Sequence, residues 1–156
     1  MTTPIWGDST AAPESRDIDC GAFWPPIATG KFYENYRIPA ELPIGTVTDY
    51  LRQAIIRSRR ALAAWENKRQ AAGFASLAAV SQKTVDGVGE LILLWERAVY
   101  CEAKAELLRE TSTVDRTVKA ENAAKSGPET EEKYREFAAD ALRSITGMGR
   151  ISIEIL

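Results

Sequence analysis

Histidine is absent from all 156 residues, and cysteine occurs only twice. Without histidine the chain has no histidine general base, no Ser-His-Asp triad and no imidazole ligand for a metal. Cys20 and Cys101 lack the spacing of a zinc motif, which favours reduced, unpaired thiols in a reducing compartment. A glycine-rich phosphate loop with a lysine is also missing. We therefore expect no metal, no cofactor and no enzymatic activity.

Long hydrophobic runs are missing as well. The longest aliphatic and aromatic run, Leu91 to Trp95, is far shorter than the roughly 20 residues of a membrane span. No basic stretch followed by an apolar run occurs near Met1, so no export signal is expected. The formal charge of −2 argues against a protein that depends on phosphate contacts along nucleic acid, although it leaves room for a local basic patch.

The chain is organised around a helix predicted from Glu90 to Thr111. Its apolar residues recur at spacings of three and four, and a second apolar set lies beside the first in its N-terminal half. A helix that is apolar around most of its circumference needs neighbours on several sides. Glu102, Glu106 and Glu110 line up on this helix, and we interpret them as a charged outer stripe, since the Glu-x-x-His element of a di-iron bundle is missing.

Two more helices flank the central one. The spacing of apolar residues predicts a helix from Thr46 to about Ala72, where Gly73 can end it. Ser126 and Glu129 stand at capping-box spacing and predict the start of a third helix, which Gly147 can close. Between the first two helices, we expect a packed loop and assign Asp86 as the N-cap of the central helix.

Four arginines of the first long helix give a local positive surface in an otherwise acidic protein. We interpret it either as a solvated face with acidic neighbours or as a contact surface for an acidic partner or for DNA. The four residues are Arg52, Arg57, Arg59 and Arg60, and the family resemblance given below implies that they are candidates for facing a channel or a neighbouring subunit.

The chain ends differ from the helical middle. Residues 1–22 are rich in small and polar residues without periodicity and are predicted to form a flexible arm, whereas residues 23–44 interleave aromatic residues with prolines and are predicted to be extended, with a short helical turn near Lys31 to Tyr36. Ile151, Ile153 and Ile155 alternate with polar residues, which is the period of a strand. No second convincing strand is evident to pair with them, so this segment suits addition to the sheet edge of another protein; folding back onto the bundle or fraying is the alternative.

These patterns predict one all-α domain, an antiparallel bundle of three to four helices with an extended N-terminal arm and a short β-prone tail. The predicted divisions are an arm over 1–22, an aromatic and proline-rich segment over 23–44, a helical bundle over 45–146 and a tail strand over 147–156.

The central helix carries a family resemblance. Its run from Leu91 to Leu108 resembles the corresponding stretch of head completion proteins of Peduovirus-type contractile-tailed phages, and further similarities follow in the same order over roughly residues 23–156. Two departures stand out: Trp95 and Glu96 occupy the place of an expected Tyr-Arg pair, and residues 111–115 replace a more aromatic and charged segment. The matching elements are Phe23-Trp24-Pro25, Tyr36-Arg37-Ile38, Leu62-Ala63-Ala64-Trp65, Ala71-Ala72-Gly73, Ser76-Leu77-Ala78, Arg97-Ala98-Val99-Tyr100, Ala103-Lys104-Ala105, Tyr134-Arg135 and Ile153-Glu154-Ile155-Leu156.

The resemblance implies a virion protein of the head-tail neck that assembles in the host cytoplasm. Proteins similar to this one form a ring, of 12 copies by resemblance, beneath the portal protein after DNA packaging; they help to retain the genome and present a surface to the tail terminator or another neck protein. Transient proximity to packaged DNA follows from that position, and a membrane partner does not. On this reading the portal-binding residues are Ile151, Ile153, Ile155 and Leu156, with Gly147 and Gly149 as the hinge.

A second class of function stays open at the level of the sequence. A small helical dimeric regulator or interaction module without a virion role would have a similar composition. In that case Trp65 and Trp95 are expected in the dimer interface.

Overall fold

The computed structural model describes residues 11–114 and 129–147, and most of these residues are helical. Two very short antiparallel sheets accompany the helices, with Asp17 paired to Ala28 in the first and Thr84 paired to Gly89 in the second. In chain order the elements are β1 Asp17–Ile18, β2 Ile27–Ala28, α1 Thr29–Asn35, α2 Ile44–Ala71, α3 Leu77–Val80, β3 Thr84–Val85, β4 Val88–Gly89, α4 Glu90–Val114 and α5 Glu131–Ile145.

Helix α4 lies between α2 and α5 and runs antiparallel to both. Tyr50 and Arg57 of α2 contact progressively earlier residues of α4, Glu110 and then Glu102. Arg135, near the start of α5, reaches the same Glu102, and the later residue Phe137 lies beside the earlier α4 residue Arg97. The apolar circumference predicted for α4 is accounted for by these neighbours together with the N-terminal segment. No helix in the described ranges is long and apolar enough to cross a membrane.

The aromatic residues after residue 22 pack against the helices, as predicted. Trp24 stacks on Trp95 of α4 with ring centroids 4.4 Å apart, and Phe32 of α1 stacks on Tyr100 at 5.8 Å. Trp95 is fully buried within a single chain. This contradicts the expectation that Trp95 lies in a dimer interface.

Part of the predicted N-terminal arm is attached to the body of the protein. Arg16 and Thr29 exchange hydrogen bonds, in which the backbone N–H of Thr29 donates to the Arg16 carbonyl and that of Arg16 donates to Thr29 Oγ1, both at 2.8 Å. Cys20 is buried in the core. Packed chain therefore begins before the predicted boundary at residue 22, because β1 pairs with β2 just ahead of α1.

Two predicted helix starts are corrected. Asp86 does not cap α4; it lies with Gly87 in the turn between β3 and β4, with φ of +51° and +75°, and α4 begins at Glu90. Positive φ at both central positions is the geometry of a type I′ hairpin turn, for which Asp-Gly is a favoured pair. Helix α5 begins at Glu131 and is capped by Thr130, whose side chain accepts from the Lys133 N–H, so the observed start lies beyond the predicted one.

The first long helix agrees closely with its prediction. It begins at Ile44, two residues early, and ends at Ala71, with Gly73 at φ +96° just beyond. A glycine in the left-handed region after the last turn is a common helix stop.

Candidate interaction surfaces

The carboxylates predicted to form an outer stripe on α4 instead bind the neighbouring helices. Arg57 of α2 lies 3.0 Å from Glu102 and 3.1 Å from Glu106, and Arg135 of α5 lies 3.0 and 3.3 Å from the same two carboxylates. Arg109 adds a third cation to Glu106 at 3.2 Å. The side chains of Glu102 and Glu106 are mostly covered, which makes this an interhelical cluster joining all three long helices.

The arginines of this cluster change the pKa of the Glu106 carboxyl. Burial alone would raise the pKa of its carboxyl, but hydrogen bonds from Arg57 and Arg135, with the charge of Arg57 and Arg109, outweigh burial and lower the pKa below its ordinary value. The carboxylate is therefore ionised at neutral pH and held by several donors. Its contacts with Arg57 and Arg135 join α4 to α2 and α5.

Lys104 is the one charged residue that is buried within the described ranges. Its ammonium lies 3.6 Å from the Glu129 carboxylate, just ahead of α5. Glu129 also accepts a hydrogen bond from the Tyr134 hydroxyl at 3.3 Å and lies 3.7 Å from Arg37. Glu129 thus connects the segment before α5 to both α4 and the end of α1.

Removing Glu129 should destabilise the protein more than replacing its partner Lys104 with an apolar side chain. We expect Glu129→Ala to lower the free energy of unfolding by about 1–2 kcal/mol, since it leaves the buried Lys104 ammonium unpaired, with a discount because Glu129 is partly exposed. Lys104→Met should be close to neutral, because an unbranched apolar side chain fills the same space. Urea denaturation followed by circular dichroism measures both; an equal loss in the two variants would contradict the argument.

Both cysteines are buried and free. Burial raises the pKa of the Cys20 thiol to about 11 and also raises the pKa of Cys101. A protonated, covered thiol is a poor nucleophile and a poor metal ligand. Within the described residues no group of histidine, cysteine or acidic side chains is placed to hold a metal ion.

An open aromatic cleft lies between α1, α4 and α5, with a volume of ≈ 490 Å³. Tyr36, Tyr100 and Tyr134 line it, and the Arg97 guanidinium sits 4.8 Å from the Phe137 ring centroid across its floor. Burial raises the pKa of the Tyr36 and Tyr100 hydroxyls. The lining of the cleft combines these ring faces with the charged side chains of Arg97 and Glu96.

The four predicted arginines of α2 separate into two sets. Arg57 turns toward α4 and is occupied by the interhelical cluster. The others are exposed and flank Ile56, which lies nearly opposite the buried stripe of α2 and is 43% exposed. We call this surface the α2 outer face; it consists of Arg52, Ile56, Arg59 and Arg60.

A second exposed apolar surface lies at the hairpin. Val85 and Val88 are cross-strand partners next to the turn and are 58% and 40% exposed. Asp86 and Glu90 are exposed beside them. We call this surface the hairpin tip. Sequence reasoning missed it, although an Asp-Gly pair between valines was the available signal.

Of the two predicted hinge residues, Gly147 lies within the described residues. It follows α5 with φ +75°, a backbone conformation that glycine adopts without strain. Gly149, Ile151, Ile153, Ile155 and Leu156 lie outside the described residues, so their assignment remains a prediction.

Comparison with known proteins gives one family. A family model described as phage head completion protein (GPL) matches residues 18–156. This range includes the whole bundle and both surfaces defined above, as well as the strand-prone C-terminal residues. Searches of curated proteins and of solved structures give no match.

Proposed function

Since this chain belongs to the phage head completion protein (GPL) family, we propose that it binds the portal protein as a ring once DNA has been packaged. Membership of the family gives it a structural role in the virion during head assembly. In the proposed role it also helps to retain the genome and provides the surface to which a tail or neck protein attaches. A Peduovirus-type phage with a contractile tail is the proposed setting, with a ring of 12 copies.

The observation that carries this proposal is the length of the family match. It covers 139 of the 156 residues and extends to Leu156, so the strand-prone end belongs to the same pattern as the helical body. The turn at Gly147 supports a hinge there, because the chain leaves α5 in a conformation that glycine adopts without strain. Ile151, Ile153, Ile155 and Leu156 are then the portal anchor, added as a strand to a sheet edge of the portal.

Co-sedimentation with the cognate portal ring tests the anchor. The full chain should sediment with the portal, and a chain that ends at Gly149 should remain in the supernatant. Replacing Ile151, Ile153 and Ile155 together with serine should have the same effect, because it removes the apolar face while keeping the backbone length. A control with Ser152→Ala and Glu154→Gln changes the opposite face of the same strand and should bind normally.

The possible outcomes distinguish portal binding itself from the assignment of the anchor residues. If the truncated chain binds as well as the full chain, the bundle carries the contact and the assignment of the anchor is wrong. If no folded variant binds, portal binding itself is wrong, and the alternative of a helical interaction module moves forward. That alternative has lost one of its two proposed interface residues, since Trp95 is in the core.

A further inference from the structure

We infer that the α2 outer face of one copy binds the hairpin tip of the next copy, and that this head-to-tail contact builds the ring. The inference rests on the proposed function for the existence of a ring and adds which residues join its subunits. It commits to a second copy of this chain as the occupant of both surfaces.

The distribution of exposed apolar side chains supports this contact. Ile56, Val85 and Val88 are the large hydrophobic residues that are exposed in the described ranges, and they fall on these two surfaces and nowhere else there. Single exposed hydrophobic residues are common, but a cross-strand pair of valines at a hairpin end is an apolar spot that a protein partner can cover.

The charges of the two surfaces also support the contact. Ile56 is surrounded by the cations of Arg52, Arg59 and Arg60. At the hairpin, Asp86 and Glu90 flank the two valines, and the exposed Lys83 lies opposite Glu90, so two carboxylates and one cation leave a net negative charge. The two surfaces are therefore opposite in net sign, each with an apolar centre. Complementary charge around an apolar contact steers association and fixes its register.

These charges are available for an intermolecular contact. In the part of the chain that the structure describes, the ion pairs of α2 and α4 involve none of the charged residues on the two surfaces. The residues of these helices that form them are Arg57, Glu96, Glu102, Lys104, Glu106 and Arg109. Arg59 leans toward Gly21, so Arg52 and Arg60 are the cations best placed beside Ile56.

The two surfaces lie at different heights along the bundle. Arg57 contacts Glu102 and Glu106, so its neighbour Ile56 is level with that part of α4, whereas the hairpin precedes Glu90. The two surfaces are thus separated by roughly 20 Å along the bundle axis, at about 1.5 Å per helical residue. A contact between two different surfaces at different heights is heterologous, and repeated heterologous contacts give a closed ring or an open filament.

Disulfide cross-linking in solution tests the contact on the full-length chain. One chain carries Ile56→Cys and another carries Val85→Cys, both at exposed positions, while the native cysteines are buried. Under mild oxidation their mixture should give a covalent dimer in about tenfold higher yield than either chain alone, because the contact raises the local concentration of the two thiols. A single chain with both substitutions should give a ladder of longer oligomers.

A cysteine at another exposed position and a change in salt concentration serve as controls. Glu132→Cys, an exposed position on α5, should not cross-link with Val85→Cys above background. The yield of the correct pair should fall as salt rises from about 0.01 M to about 1 M, where the Debye length shrinks from about 30 Å to about 3 Å. Homodimers of the Ile56→Cys chain alone would show a two-fold contact instead, and an absence of cross-links in every mixture would equally overturn the inference.

The portal assay distinguishes this failure from failure of the proposed function. If the full chain sediments with the portal but the cysteine pair does not cross-link, the portal role stands and the subunit contact is elsewhere. If the pair cross-links into ladders but no variant binds the portal, the contact stands and the portal assignment fails.

Discussion

Replacing Trp95 with alanine is expected to lower the free energy of unfolding by about 3–5 kcal/mol, a large part of the stability of a domain this size. Trp95 has no exposed surface, and its ring stacks on Trp24 with centroids 4.4 Å apart. Its indole Nε1–H donates to the Pro25 carbonyl at 3.2 Å. The substitution removes apolar contact, leaves a cavity beside Trp24 and leaves the Pro25 carbonyl without this donor.

Urea denaturation monitored by circular dichroism measures the effect. Trp95→Phe keeps most of the ring but loses the hydrogen bond, and it should cost less than the alanine variant. Trp65→Ala is the matched control, because Trp65 lies at the half-buried edge of the same aromatic group. Equal losses for Trp65→Ala and Trp95→Ala would show that α4 is not the centre of the core.

The second large effect is expected for Glu106→Gln, at about 2 kcal/mol at neutral pH. Hydrogen bonds to charged groups are worth about 1.5–3 kcal/mol, and Glu106 accepts them from both Arg57 and Arg135. Glutamine keeps the size of the side chain and its helix propensity, so the loss reports the charge. Glu132→Gln, on the exposed side of α5, should change stability by less than about 0.5 kcal/mol.

The loss of stability in Glu106→Gln should depend on pH. The pKa of Glu106 is lowered from its reference value of 4.5 in the folded protein. Its contribution is therefore fully present above pH 4.5 and declines as the pH falls through the folded pKa below that value. The stability difference between the wild-type chain and Glu106→Gln should shrink over the same acidic range. A difference that stays constant into acid would contradict an ionised, arginine-bound Glu106.

The helices could be predicted from the sequence because their signals are local. The spacing of apolar residues and the glycine at 73 fixed α2 to within two residues, and the short turn near Lys31 is confirmed as α1. The packing of the aromatic side chains against the helices was also predicted. Prolines after residue 22 prevent a long helix there, so the rings are left to pack on neighbouring elements.

The wrong predictions have two causes. In one, two local signals competed; in the other, the contacts join residues that are far apart in the sequence. Asp86 precedes a helical run and reads as a cap, but Asp-Gly between two valines closes a hairpin more favourably, and the hairpin prevailed. Periodicity placed Glu102 and Glu106 on one face of α4 without showing that arginines from two other helices meet them. Such partners are set by how helices pack, which no single-helix pattern contains.

Trp95 and Glu96, which depart from the family resemblance, each have a partner in the structure. Trp95 is matched by Trp24, on which it stacks, and Glu96 is matched by Lys31, whose ammonium lies 2.8 Å away. The changed pair on α4 therefore contacts residues of the N-terminal segment. Trp95 is buried in the core, whereas Glu96 also lines the aromatic cleft between α1, α4 and α5.

The contacts between the N-terminal aromatic segment and α4 also join distant parts of the sequence. The residues that they join are 65 to 72 positions apart, such as Lys31 with Glu96 and Ala28 with Tyr100. Closing such long loops is slow compared with forming a local helix. During synthesis, Trp24 can contact Trp65 and Glu66 of α2 first, but its stack on Trp95 cannot form until α4 has left the ribosome.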